Sequence, residues 1–425
     1  MIDIKLIRQD PEAFAQAARD KRIDVDIDAV LDTDRRLLAA QRELQEIRTA
    51  QNTAGKRIAK LDGPEKQAAI EEVSRLKARA KELNDAVAEL KPAFEQLMLL
   101  VPQPADPEVP VGADETESVE LRRAGEIPRL DFPVKDHLEL GQALDIIDVE
   151  RGVRLAGTRN YVLKGAGAML HYAVLRLAAE KMTAKGYTLL NVPVLVNDSV
   201  MEGTGYFPVG RDEAYLVERD EMSLVGTAEV PLTGLHAGEI LDAADLPKKY
   251  VALSTCFRRE AGAAGKDTRG LYRVHFFDKV EQVIVAPNDA EASKRFHAEI
   301  LANAEDVLKA IGLPYRVVNV CTGDLGQGQV QKFDIETWMP SRGAYGETHS
   351  ASRFYDFQAR RLNIRYRDAG GTVRYCHTLN NTVIASPRTL IPLLELNQNA
   401  DGTVTVPEAL RPYMGGMATI APPRS

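Results

Sequence analysis

The sequence predicts an α+β protein in two parts. The first is an N-terminal antiparallel helical coiled-coil arm; the second is a larger domain built on an antiparallel β-sheet flanked by helices. Apolar residues recur at alternating steps of three and four between residues 28 and 97. A proline cluster at Pro102, Pro104, Pro107 and Pro110 then interrupts the pattern. Beyond it, β-rich runs follow one another through short connections, which favours antiparallel pairing over β-α-β units.

The arm comes first. Asp10-Pro11-Glu12 reads as a helix start, with a short helix to about Arg22. From Asp28 an apolar or small seam runs through Val30, Thr33, Leu37, Ala40, Leu44, Ile47, Gln51, Ala54, Ile58 and Leu61. After Asp62-Gly63-Pro64 it resumes at Ala69, Val73, Leu76, Ala80, Leu83, Val87, Leu90, Phe94 and Leu97. Two helices with one seam each, joined at a Gly-Pro turn, pack on each other as a coiled coil over about residues 28–100. The 34 residues from Asp28 to Leu61 span ~50 Å at ~1.5 Å per residue. Off the seam the faces are polar, so the arm is expected to stand away from the body.

Composition is that of an ordinary soluble protein, 44% hydrophobic and 27% charged over 425 residues, enough for two or three domains. The first ten residues lack an apolar core and no run of eighteen apolar residues occurs, so neither a secretory signal nor a membrane span is expected. Cys256, Cys321 and Cys376 are odd in number and far apart, which points to a reducing, cytoplasmic setting without disulfides. Only Cys376-His377 is adjacent, and zinc is not expected. The net charge of 54 − 62 = −8 argues on its own against a nucleic-acid partner. Locally the balance reverses. Between Arg48 and Lys81 nine basic residues face four acidic ones, a surplus of five. A polyanion is attracted to such a tip; from spacing alone, a merely solvated helix face fits equally well.

The proline-rich residues 106–130 read as a linker, and 131–425 as the second domain. Ala168 to Lys185 is an amphipathic helix, followed by a strand from Thr188 to Val196 that Pro193 interrupts. Further strands are expected at Ala214–Val217, Val251–Phe257, Tyr272–Val285, Tyr315–Val320, Lys332–Trp338 and Asp356–Arg360, with helices at Asp289–Ile311 and Pro387–Leu396. Neither G-x-G-x-x-G after a strand nor G-x-x-x-x-G-K-[ST] occurs, so phosphate binding would rest on arginines and a metal.

One hairpin stands out. Ser254 to Glu281 reads STCFRREAGAAGKDTRGLYRVHFFDKVE, two strands around a glycine-rich, charged loop. Arg258, Arg269, Arg273 and Lys266 crowd it, with Glu260 and Glu281 among them. Exposed ion pairs contribute little to folding, whereas guanidinium forks match phosphate oxygens. The string C-F-R-x-E-A-G…G-x-D-T-R-G-L-x-R-x-H…F-x-K-V-E closely resembles motif 2 of the class II seryl-tRNA synthetases. The helix and proline-broken strand after Ala168 resemble motif 1, which builds the dimer interface of class II enzymes; an ordinary helix–strand pair remains an open reading. LVGTAEVPLT, Glu347-Thr348-His349-Ser350, SASRFYDFQARR, HTLNNT and DGTVTVPEALRPYM also resemble this family.

The resemblance implies the class II synthetase fold and a homodimer. It implies ATP-dependent activation of L-serine, with transfer to the terminal ribose of tRNA(Ser), and of tRNA(Sec) as well. It makes residues 1–105 the tRNA-binding domain, its arm gripping the long variable arm of the tRNA, and 131–425 the catalytic domain. It further implies that Arg258 reaches the α-phosphate and the serine carboxylate, and that Glu260 accepts from the adenine amino group. Phe277 lies against the adenine and Val274 offers backbone beside it, while Arg273 and Arg388 hold the outer phosphates. Arg259, Thr348 and His349 join this ATP-binding set. Glu347 and Ser350 match the metal-binding stretch, where oxygen ligands suit Mg²⁺. In the implied serine pocket Thr227, Ala228 and Glu229 form the loop that holds the ammonium, Glu281 and Thr382 pair with the hydroxyl, and Asn380 steadies the pocket. Attack on phosphorus needs positioning and charge neutralisation more than a protein base, so His275, His349 and His377 read as structural.

The pattern breaks in three places. Phe276 stands where the family usually has Gln. Asn381-Thr382 replaces Gly-Ser, keeping a hydroxyl and adding a methyl. LLELNQ replaces a helix with E-N-Y-Q, with Pro392 near its first turn. Two other readings stay open on the residues: a paralogue that adenylates for a non-tRNA acceptor, and a coiled-coil interaction protein with an inactive body. The arm speaks against the first, intact Arg258, Glu260, Glu347 and Arg388 against the second.

Overall fold

The computed structural model describes residues 1–423 apart from 264 and 266, so Lys266 of the charged hairpin lies outside the described residues. The chain divides into two compact units, Met1–Pro104 and Ala105–Ser425.

In the first unit, short helices at Ile4–Gln9 and Pro11–Asp20 precede two long ones, α1 (Ile27–Ile58) and α2 (Gly63–Leu100). Aspartates start three of them: the side chains of Asp3, Asp10 and Asp26 accept from backbone amides of the first turn. The seam is as the periodicity requires, with Val30, Leu37, Ala40, Leu44 and Ile47 of α1 buried beside Ala69 and Leu83 of α2. The turn between the helices uses Gly63 at a φ of 62°, a left-handed conformation that suits glycine. Arg8 grips buried Asp34 of α1 with two 2.8 Å bonds, which docks the first short helix on the arm's base.

The second unit contains an eight-stranded sheet: β1 (Val119–Ala124), β2 (Thr188–Leu190), β3 (Lys248–Phe257), β4 (Phe276–Ala286), β5 (Tyr315–Asn319), β6 (Gln331–Met339), β7 (Ala344–Tyr355) and β8 (His377–Ser386). Their order is β1-β5-β6-β7-β8-β4-β3-β2. Every pair is antiparallel except β2 with β3, at one edge. Helices α3 (Ala166–Ala184) and α4 (Ala290–Ala310) pack on it. Leu170, Ala173, Val174, Leu177 and Ala178 give α3 its buried stripe, and Ile300, Leu301, Ala304, Val307 and Leu308 give α4 the same.

β4 runs through the middle of this arrangement and shows how the site is oriented. Side chains alternate along a strand. Phe276 meets Tyr161, Asp278 meets His171 of α3, and Gln282 donates to the Ile300 carbonyl of α4, so these positions face the helices. The intervening Phe277, Lys279 and Glu281 take the other face.

Several elements differ from the sequence-based expectation. Asp356–Arg360, read as a strand, belongs to a short helix, Phe357–Leu362; the Arg360 side chain reaches back to Asp356 at 2.7 Å, a helical i,i+4 contact. The strand read from Thr188 to Val196 is two strands. β2 ends at Leu190, and Leu195–Asn197 joins a separate three-stranded sheet, because Pro193 cannot continue the ladder. β7 and β8 were not anticipated at all. The stretch read as a linker is largely built into the second unit. Buried Arg353 holds Asp106 and Glu108, Val109 packs with Val320 and Leu325, and β1 pairs along β5.

Candidate active site

The sheet face opposite the helices carries a cavity of about 500 Å³. Its walls include Arg258, Glu260, Val274, Phe277, Lys279, Glu347, Thr348, His349, Ser350, Thr382 and Arg388. These come from β4, β7, β8 and the connections after β3 and β8, so segments far apart in sequence meet in one place.

Arg258 leaves the end of β3 with its backbone amide bonded to the His275 carbonyl at 2.9 Å, and His275 Nδ1 donates back to the Arg258 carbonyl at 3.0 Å. The guanidinium lies over the Phe277 ring, 5.1 Å from its centre, with Nε 3.4 Å from the Gly226 carbonyl. Cation and ring thus form one platform. Two residues on, Glu260 adopts a φ of 53° and accepts from Arg273 Nη1 at 3.4 Å. Arg273 also reaches Asp267 at 3.4 Å. Arg259 takes the other side of the backbone: its guanidinium donates to the Asp212 carbonyl at 3.1 Å, and it is absent from the cavity wall. Arg269 is exposed on the hairpin and also absent from that wall.

Arg388 closes the opposite side. It donates to the Tyr272 carbonyl at 3.1 Å, to the Glu347 carbonyl at 3.1 Å and to Glu347 Oε2 at 3.3 Å. Glu347 is set among protein atoms although its side chain is 47% exposed at the cavity. Burial opposes its charge, but Arg388, Lys332, Arg258 and Arg273 outweigh that and hold the carboxyl below its usual range. Thr348 turns its hydroxyl to the Ile335 carbonyl at 3.2 Å, and His349 Nδ1 lies 2.8 Å from that hydroxyl. Burial pushes His349 down to about 3, so its imidazole is neutral. His377 is pushed to about 4 by burial and bonds Ser293 at 2.8 Å.

Deeper in, a one-residue slip between β4 and β8 sets Glu281 directly opposite Thr382, whose hydroxyl donates to Glu281 at 3.2 Å. Lys279 stands between them, paired with Glu281 and donating to Thr227 at 2.7 Å and Thr382 at 3.3 Å. Lys279 is part of the quoted hairpin string yet had no role assigned to it. The backbone amide of Glu229 donates to the Thr227 hydroxyl at 3.2 Å, and Ala228 is fully buried before the short helix Glu229–Gly234. The Glu229 carboxylate accepts from Tyr206 at 2.7 Å and Gln358 at 2.8 Å. Burial, and then nearby Glu281, raise it to about 7. Asn380 lies on the same strand face as Thr382, and its buried Nδ2 has no hydrogen-bond partner among the described residues. A second cavity of about 1150 Å³, lined by Tyr206, Glu213, Gly226 and Gly262, shares Arg258, Glu260 and Arg273 with the first.

The departures from the family pattern find their places. Phe276 points to the helix side and stacks on Tyr161, ring centres 4.9 Å apart and nearly parallel at 3°. Asn381 also faces the helices, accepting from Gln282 at 2.6 Å and donating to the Ser350 carbonyl at 2.8 Å. In the altered last helix, α5 (Leu390–Leu396), buried Glu395 accepts from His137 and Ser341, and Gln398 just beyond it clasps the backbone of Lys135.

Comparison with known proteins agrees with this geometry. Residues 1–104 match the model of the seryl-tRNA synthetase N-terminal domain, and residues 215–397 match the tRNA synthetase class II core domain (G, H, P, S and T). The serine–tRNA ligase of Deinococcus radiodurans is 45% identical over 423 residues, covering 100% of both chains; that of Rubrobacter xylanophilus is 43% identical, covering 98% of each. The crystal structure of seryl-tRNA synthetase from Pyrococcus horikoshii complexed with ATP superposes with a TM-score of 0.93 at 37% identity, over 100% of both chains. The cytoplasmic serine–tRNA ligase of Naegleria fowleri in complex with AMP gives 0.87 at 30%, over 100% of this chain and 99% of the other. By sequence over its whole length and by fold, this chain belongs to the seryl-tRNA synthetase family.

Proposed function

We propose that the chain is a serine–tRNA ligase, which activates L-serine with ATP to seryl-adenylate and pyrophosphate and then transfers serine to the 3′-terminal ribose of tRNA(Ser), and of tRNA(Sec). The observation that carries this reading is the convergence of Arg258, Glu260, Phe277, Glu347, Ser350 and Arg388 on one cavity whose inner end holds Lys279 and Thr382. The relatives that bind ATP and AMP support a nucleotide in that cavity.

In this reading the adenine lies against Phe277 with its amino group at Glu260. Arg258 spans the α-phosphate and the serine carboxylate, aligning attacking oxygen and phosphorus. Arg273 and Arg388 take the outer phosphates and neutralise the charge that leaves with pyrophosphate. Guanidinium forks already fixed by protein contacts reorganise little as charge develops. Glu347 and Ser350 offer a carboxylate and a hydroxyl, hard oxygen donors that fit Mg²⁺. The ion would neutralise phosphate charge when bound. Among the described residues no group of three or more His, Cys, Asp or Glu is placed to hold a metal. The serine ammonium pairs with Glu229 and the Thr227–Ala228 loop, its hydroxyl with Glu281 and Thr382, and Asn380 supplies a free donor.

For the arm, Lys56, Arg57, Lys60, Lys66, Arg75, Lys77 and Lys81 are exposed, and among the described residues none has a carboxylate within 4.0 Å. Seven cations without counterions support binding of the tRNA variable arm. Exposed Met169 and Tyr172 on α3, with Leu189 on the edge strand β2, support a homodimer through this face. No described helix is long and apolar enough to cross a membrane, and the three cysteines are free; we read the location as cytoplasmic.

Pyrophosphate exchange into ATP, measured with each of the standard amino acids, tests the proposal. Serine alone should support rapid exchange; no serine-dependent exchange would overturn it.

A further inference from the structure

Three side chains given to serine by the family resemblance, Thr227, Glu281 and Thr382, have one contact in common. The ammonium of Lys279 pairs with Glu281 and donates to Thr227 at 2.7 Å and to Thr382 at 3.3 Å. Its side chain is only 6% exposed, and Lys279 lines the inner end of the cavity together with Thr382. An ammonium taken out of water is costly unless every partner is in place. A lysine stem this deep is therefore held for its charge and its donors. Nothing in the fold of β4 demands them, since a neutral side chain at position 281 would dispense with the counterion.

The charge balance supports the same reading. Glu229, Glu281 and Lys279 lie in one buried neighbourhood and influence one another. When Glu229 is ionised, the two carboxylates exceed the charge of Lys279 by one, which suits the α-ammonium of an amino acid. The hydroxyl of serine is both donor and acceptor. Glu281 can only accept, so it can answer only the hydroxyl hydrogen.

We propose that Lys279 is a specificity-determining residue that reads the acceptor side of the substrate hydroxyl: its ammonium gives up the long 3.3 Å bond to Thr382 and donates to serine Oγ, while Glu281 takes the hydroxyl hydrogen. Alanine then offers neither charged group the hydrogen bond that serine gives it, and leaves them only their pairing with each other. This rests on the serine-ligase reading above and adds a contact to it. A hydrogen bond to a charged group that goes unmade in a buried site accounts for about tenfold to a hundredfold in discrimination.

The test is the ratio of kcat/KM for serine to that for alanine in pyrophosphate exchange. This ratio does not depend on how much of a variant is folded. Lys279→Met should lower it about tenfold to a hundredfold, and Lys279→Gln, which keeps an uncharged donor, should lower it less. If Lys279→Met retains no activity, the Gln variant decides. A lysine serving only as counterion to Glu281 would act through that residue alone, so the measurement is repeated in Glu281→Gln. There Lys279→Met should still lower the ratio by about tenfold; a ratio unmoved in that background, or in the single variants, overturns the proposal. Wild-type protein without serine-dependent exchange would instead overturn the underlying function, so the two failures are distinguishable.

Discussion

Glu229 joins burial to chemistry at the scale of one residue. It is 5% exposed, and burial with Glu281 nearby raises it from 4.5 to about 7. Its neutral form is therefore favoured in the folded chain. Its contribution to stability is fullest below about pH 4.5 and declines by on the order of 3 kcal/mol as pH rises through about 7. The carboxylate is nonetheless what a substrate ammonium needs. Hence kcat/KM for serine in exchange should fall about tenfold per pH unit below about 7, because that parameter reports the free enzyme. Glu229→Gln should melt higher at pH 8 and yet lose most serine activation. A variant with unchanged stability and normal activity would refute both halves.

Other residues show what was legible at this scale. Arg258 and Glu260 line the cavity while Arg259 turns to the Asp212 carbonyl; β3 ends at Phe257 and Glu260 takes a left-handed φ, so the turn beyond the strand sets these directions. Such a turn has no periodic signature, so the direction of Arg259 was not legible in the sequence. Lys279 escaped because a lysine beside Asp278 on a strand looks like a solvent-facing one. Only the covering of both sheet faces reveals it as buried.

At the scale of elements, three strands of the main sheet were missed: β1 lay in the stretch read as a linker, and β7 and β8 escaped for a reason of their own. A strand is recognised by apolar runs or by alternation, whereas these read AYGETHSASRFY and HTLNNTVIAS. Every residue of β8 is buried, polar ones included. One of its faces builds the site with Thr378, Asn380 and Thr382; the other ties the sheet to α4 through Asn381. Polar residues at the centre of a sheet are the signature of a functional floor, and they erase the hydrophobic signal there. The Asp356–Arg360 error has the opposite cause, since Phe357, Gln358, Ala359 and Leu362 bury a helical face too short to show its period. The two faces of β8 separate stability from specificity. Asn381→Ala would leave buried Gln282 short of a partner and should cost about 1–3 kcal/mol in thermal or denaturant unfolding. Its side chain points away from Lys279 and Thr382, so the KM for serine should stay within about twofold. A large rise in KM with unchanged stability would show that the alternation has been misread.

At the scale of the whole molecule, the chain holds two separate sources of cohesion. The arm's seam is Ala40, Leu44 and Ile47 packed with Leu83, and the catalytic unit's core draws entirely on residues 140–420. Neither list contains a residue of the other unit, so removing the arm removes no atom from the core that supports the cavity. Replacing residues 30–98 by a short Gly-Ser bridge should therefore leave serine-dependent pyrophosphate exchange within about twofold. Transfer of serine to tRNA should be abolished, because the cations at the arm's tip go with the deletion. The full-length chain should show the same division through salt. If about five phosphates are neutralised by the surplus of five charges, raising salt from about 50 to 200 mM weakens tRNA binding by roughly two to three orders of magnitude. Exchange, which involves small substrates in a partly enclosed cavity, should change far less, since buried charges are screened less than exposed ones. Unchanged transfer after the deletion, or salt sensitivity equal in both half-reactions, would remove the arm from tRNA recognition and leave its unpaired cations without a role.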